Sequence, residues 1–196
     1  MICQISEKIL EFTSEHLDIS PEMKEVYQYG IEITISSMLN VTLVLLCSLI
    51  LGNIIAGILY LFIFIVLRSF TGGYHATTYF RCNLTFVSTF IITYFAYIII
   101  SGCQFSIYIC GALAFASLIP IVLFSPVPNK HKPLSDKQRK KSSVLSIIIA
   151  SALSVSGLIL IAFEISYGAM IITTVSMISV LILVETFLQR RGYHEC

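Results

Sequence analysis

Residues 31–69 read IEITISSMLNVTLVLLCSLILGNIIAGILYLFIFIVLRS, with Glu32 the one charged side chain before Arg68. Two apolar stretches, 31–51 and 54–69, meet around Gly52-Asn53. Crossing the hydrocarbon core of a bilayer takes roughly 20 predominantly apolar residues. The segment is therefore expected to cross a membrane and return, the second crossing being the shorter. Further apolar runs at 84–101, 105–124, 144–163 and 168–188 extend the pattern. The fold class read from it is an all-α integral membrane protein with six transmembrane helices in three hairpins. Composition agrees: of 196 residues, 57% are hydrophobic and 12% charged, against about 25% charged in soluble domains. Those values exclude an ordinary cytosolic enzyme, a disordered chain and a nucleic-acid binder.

The placement of charge orients the spans. All 12 Lys and Arg fall at positions 8, 24, 68, 81, 130, 132, 137, 139, 140, 141, 190 and 191. None falls in the connections around 52–53, 102–104 and 164–167. Basic residues collect on the cytoplasmic side of membrane proteins. Both termini and the loops 68–83 and 125–143 are thus expected to be cytoplasmic, which requires an even number of spans. Three regions follow: 1–30, a transmembrane domain at 31–189, and a cytoplasmic tail at 190–196. The first of these carries Glu7, Glu11, Glu15, Asp18, Glu22 and Glu25, without a basic start or an apolar h-region, so it does not read as a signal peptide. Ile2, Ile5, Ile9 and Phe12 recur at helical spacing and suggest an amphipathic helix at the interface. Ser20-Pro21 reads as the cap and first position of the next helix.

Six cysteines, at 3, 47, 82, 103, 110 and 196, form no CxxC pair. Several lie in apolar runs, where cysteine behaves as a small hydrophobe, and no metal site or disulfide framework is expected. Intramembrane acids are the usual mark of a transport path. Glu32, Glu164 and Glu185 are the candidates, and none falls at mid-span. Glu185, one turn from Gln189 and Arg190, reads as an interfacial carboxylate near a cation.

Chemistry is concentrated in residues 68–82, RSFTGGYHATTYFRC. A thiolate is a strong nucleophile, but free thiols, with a reference pKa of about 8.5, are mostly protonated at neutral pH. A histidine in reach can take the proton and later return it to a leaving amine. His75 and Cys82 supply the two groups, and Arg68 or Arg81 is placed to favour a thiolate or to hold an anionic part of a substrate. On a straight helix the pair would be separated by about 10.5 Å of rise, too far for direct transfer. A dyad requires the segment to bend, dip into the membrane or unwind, which Gly72 and Gly73 permit. The plainer reading is an incidental His and Cys, with Cys82 simply opening the third span.

The Arg68, Gly72-Gly73, His75 and Cys82 pattern, in Arg-x3-Gly-Gly-x-His-x6-Cys spacing, resembles the signature of the accessory gene regulator B (AgrB) family. The loop Pro126-Val127-Pro128-Asn129-Lys130-His131-Lys132-Pro133-Leu134 resembles a second element of that family, with His131 where a third Lys would stand. The resemblance implies an integral membrane cysteine endopeptidase that processes the precursor of a bacterial quorum-sensing peptide. It implies catalytic roles for Cys82 and His75, substrate or transition-state contact by Arg68, and backbone approach at Gly72 and Gly73. Lys130 and Lys132 match part of the family's basic patch, although a Lys-rich inner loop is also what topology alone demands. The implied substrate is a propeptide with an amphipathic N-terminal helix and an acidic C-terminal tail, cut through a thioester and closed to a thiolactone or lactone. No metal or organic cofactor is expected; the lipid bilayer is a partner, nucleic acid is not, and a homodimer is left open. The competing readings are a small carrier or exporter, in which Cys82 is dispensable, and a membrane thiol acyltransferase.

Overall fold

The structure is a computed structural model of the chain and describes residues 6, 7, 10, 21–72, 78–127 and 135–190. Six long helices account for most of these residues: α1 (Pro21–Ile50), α2 (Ile54–Thr71), α3 (Tyr79–Ser101), α4 (Ser106–Phe124), α5 (Asp136–Ala162) and α6 (Tyr167–Arg190). No strand occurs among the described residues. All six helices are long and apolar enough to span a membrane, in agreement with the six apolar runs. Most of residues 1–20, and with it the expected interfacial helix, lies outside the described residues, as does the tail after Arg190.

Several helices outrun their apolar runs because polar residues cap them. α1 begins at Pro21, ahead of its apolar window at Val26. Before α3, Thr78 is extended (φ −137°, ψ 148°), and its hydroxyl accepts from the Arg81 amide at 3.3 Å. The third helix therefore starts ahead of the apolar run at 84 and includes Cys82. At α5, Ser135 and Gln138 form a reciprocal capping box: the Ser135 hydroxyl accepts from the Gln138 amide at 3.4 Å, and the Gln138 side chain accepts from the Ser135 amide at 3.1 Å. Such a box satisfies backbone donors that a helix start leaves unpaired.

α6 is the most deeply buried helix and packs against α2, α3, α4 and α5. Its Met170, Ile172, Val175 and Ile182 meet a core that includes Tyr60, Leu67, Phe90, Cys110 and Ile121. Large apolar side chains such as Ile50, Phe62, Ile99 and Phe115 are exposed, as befits a surface that faces lipid. In lipid, helices associate through small residues and interhelical hydrogen bonds rather than through hydrophobic exclusion from water. Both devices are present. Ser117 of α4 donates to Ser176 of α6 at 2.8 Å. α5 and α6 close onto each other at Gly157 and Gly168: a Cβ on Gly157 would stand 3.0 Å from the Gly168 carbonyl, and one on Gly168 would run into the Gly157 carbonyl.

The turns at 51–53, 102–105 and 163–166 are short, and hydroxyl groups tie two of them down. Asn53 caps α2 through the Ala56 amide at 3.1 Å and accepts from the Tyr167 hydroxyl at 3.3 Å. Tyr94 donates to the Leu51 carbonyl at 3.2 Å. Tyr97 stacks on Tyr167 with ring centroids 6.1 Å apart and shares a 3.4 Å hydrogen bond with Ser166.

Candidate active site at one end of the bundle

The opposite end gathers the starts of α1, α3 and α5 and the ends of α2, α4 and α6. Tyr79, at the start of α3, donates to Glu32 of α1 at 2.7 Å. Past the end of α2, the Thr71 carbonyl accepts from the Val127 amide at 3.0 Å. Ser125, after α4, pairs with Ser146 of α5 at 2.8 Å, and Arg190 of α6 lies over the Phe124 ring at 5.9 Å.

The two sequence elements singled out above meet here. Gly72 adopts φ 67°, ψ −151°, a conformation essentially confined to glycine. A Cβ at this position would lie 2.8 Å from the Val127 carbonyl. Glycine is thus required twice, for its backbone angles and for the approach of the chain that follows Pro126. The sequence placed Gly72 in a turn near the chemistry; its contact with Val127 joins segments too distant in the chain to be read from it.

Cys82 lies in the first turn of α3, half-buried, with its amide bonded to the Thr78 carbonyl at 3.0 Å. The first turn of a helix presents partial positive charge, and reactive cysteines are found at such N-termini and beside cations. Arg68 supplies the cation. It stands on the last turn of α2, half-buried, with its guanidinium over the Phe64 ring at 5.4 Å and within electrostatic reach of Cys82, Tyr60 and Glu185. Arg81, the other cation considered from sequence, is exposed.

Extended Thr78 breaks any continuous helix between 75 and 82, so the straight-helix separation does not apply. His75, Gly73, Lys130 and Lys132 lie outside the described residues. Next to Cys82, Asn83 is buried and accepts from the Ser36 hydroxyl at 2.7 Å, and Thr78 serves as the α3 cap. Among the described residues, no group of three or more His, Cys, Asp or Glu is arranged to hold a metal.

Glu185, near the end of α6, is buried in the bundle. It is only 4% exposed, accepts from Gln189 at 2.9 Å, and interacts electrostatically with Arg68 of α2. Its neighbours in sequence suggested Arg190 as the nearby cation; folding adds Arg68, far away in the chain. Glu32, Tyr79 and Ser36 carried no local signal either, because their pairings cross between helices.

Fold and site together define a multi-pass membrane protein with a cysteine and a cation held at one end of a helical bundle. The sequence pattern of the family described as Accessory gene regulator B matches residues 6–187, and the chain belongs to that family. It is 28% identical over 148 residues to AgrB-like protein 2 of Clostridium perfringens (strain 13 / Type A), covering 72% of this chain and 68% of the relative. It is 26% identical, over the same shares, to an AgrB-like protein of C. perfringens strain SM101. No solved structure matches the chain significantly. Family membership supports a role in the agr quorum-sensing system.

Proposed function

We propose that the chain is a cysteine endopeptidase of the bacterial cell membrane, which matures a signalling propeptide at the end of the bundle that carries Cys82. The observation that carries this reading is the position of Cys82, in the first turn of α3 and within electrostatic reach of Arg68. The basic residues of the connections belong to this same end, which supports a cytoplasmic site and cytoplasmic termini.

In this reading His75 takes the thiol proton as Cys82 Sγ attacks the carbonyl carbon of the scissile bond. The imidazolium then protonates the leaving amine, the C–N bond breaks, and the N-terminal part of the propeptide remains as a thioester on Cys82. An internal thiol or hydroxyl of the bound peptide attacks that thioester, releasing Cys82 and closing a thiolactone or lactone. Exchange between thioesters is nearly isoenergetic, so the enzyme's contribution is positioning and exclusion of water. Arg68 favours negative charge on the sulfur or on the tetrahedral intermediate. Gly72 and Gly73 let backbone approach the substrate. Lys130 and Lys132 receive the acidic tail, and the remaining basic residues of that loop contact lipid headgroups.

The test uses purified protein in lipid vesicles with the propeptide encoded beside its gene, read by mass spectrometry. The native chain is expected to release the C-terminal tail, and Cys82→Ala and His75→Ala to release none. Continued processing by Cys82→Ala would overturn Cys82 as the nucleophile, and no processing by the native chain would replace this reading with that of a carrier.

A further inference from the structure

Glu32 is an acid that the proposed chemistry does not use, and its surroundings are specific. Its Oε2 accepts from the Tyr79 hydroxyl at 2.7 Å, and its Oε1 accepts from the hydroxyl of fully buried Ser6 at 3.0 Å. The Gln28 amide approaches the same Oε1 at 3.5 Å. One turn further along α1, Ser36 donates to buried Asn83 at 2.7 Å. Tyr79 and Asn83 are likewise one turn apart on α3, and Cys82 lies between them in sequence. A helix rotates about 100° per residue, so two ties one turn apart lie on one stripe and fix both the height of α3 and its rotation. With that stripe held against α1, Cys82 projects from the side of α3 rather than toward α1.

From this juxtaposition we infer that Glu32 is a positioning residue for Cys82. Its carboxylate locks the first turn of α3 in one rotation and so fixes the direction in which Cys82 projects, and it joins Ser6 to the same structure. The inference rests on the peptidase reading for its effect on turnover, but not for its effect on the thiol itself. A carboxylate accepting from two hydroxyls forms stronger and shorter hydrogen bonds than a neutral acceptor, which suits a residue that fixes orientation. Ser6 becomes, on this view, part of the same support.

The test is a double-mutant cycle on Glu32→Ala and Tyr79→Phe, with Glu32→Gln as the conservative variant, in the full chain in lipid vesicles. Two quantities are read: kcat and KM for the propeptide, and the rate at which iodoacetamide alkylates Cys82, resolved from the other cysteines by peptide mass spectrometry. Both single changes are expected to lower kcat about tenfold with KM within about twofold, and to change the alkylation rate of Cys82. The double variant is expected to be no worse than Glu32→Ala, because the two residues act through one bond. Glu32→Gln, whose carbonyl still accepts the phenol, should recover most of the loss. Effects that multiply in the double variant, or an alkylation rate unmoved by all three changes, would overturn the inference. If Glu32→Ala fails to fold, Tyr79→Phe and Glu32→Gln carry the same comparison. If the native chain cuts nothing while alkylation still follows the cycle, the positioning role stands and the peptidase reading falls.

Discussion

The two ends of this bundle are built on different principles. At one end, Asn53, Tyr94, Tyr97 and Tyr167 bind short turns to neighbouring helices through side-chain hydroxyls and an amide, and no Lys or Arg falls in those connections. At the other, longer connections carry the basic residues, Arg68 interacts electrostatically with Cys82 and Glu185, and Glu32 ties α1 to α3 through Tyr79. Closing an end in lipid requires that every backbone group be satisfied, which short capped turns achieve economically. Charged groups that fold into a bundle end demand partners as well, and Glu32 and Glu185 find them there in Tyr79 and Gln189. One end holds the helices together; the other uses the positions they are held in.

Substitutions that separate stability from activity sharpen this contrast. The largest effect is expected at Arg68: Arg68→Gln should lower propeptide turnover at least about 100-fold, with a melting temperature close to that of the native chain. Equal losses of turnover from Arg68→Gln and Arg81→Gln would break the assignment of the cation to Arg68. Gly72→Ala comes next. Its new Cβ meets the Val127 carbonyl in a backbone conformation that disfavours it, so a cost of about 1–3 kcal/mol is expected along with a fall in turnover. At the opposite end, Gly168→Ala should cost a similar amount, about 1–3 kcal/mol, by pushing α5 and α6 apart. Activity per folded molecule should nevertheless be retained. The smallest effect belongs to Asn53→Ala, which removes the α2 cap for about 1 kcal/mol and leaves turnover unchanged. Thermal melts in detergent, read beside turnover in vesicles, check all four.

How far the sequence carried the fold follows from which interactions are local. Apolar runs are local, so six helices were legible, as was the gathering of basic residues into alternate connections. Caps are local too. The Ser135-x-x-Gln138 box marked the start of α5, and Thr78 stood three residues before Arg81, yet hydropathy alone placed both helices too late. The site was legible only in part, for the same reason. Arg68, Gly72 and Cys82 share one short segment and were read together. By contrast, the contact of Gly72 with Val127, the approach of Glu185 to Arg68, and the ties from Glu32 and Ser36 to α3 exist only once helices pack. For Glu185 the local sequence offered Arg190 as a cation, while its burial and its interaction with Arg68 depend on packing.

The central claim is that Cys82 forms a covalent bond with the propeptide. The most direct measurement is the intact mass of the native chain, quenched with acid during turnover of the propeptide in vesicles and then mapped by proteolysis. The account predicts an adduct with the mass of the N-terminal peptide fragment, located on Cys82, removed by hydroxylamine and absent from Cys82→Ala. Release of the C-terminal tail by a chain whose Cys82 carries no adduct, or by Cys82→Ala itself, would contradict it.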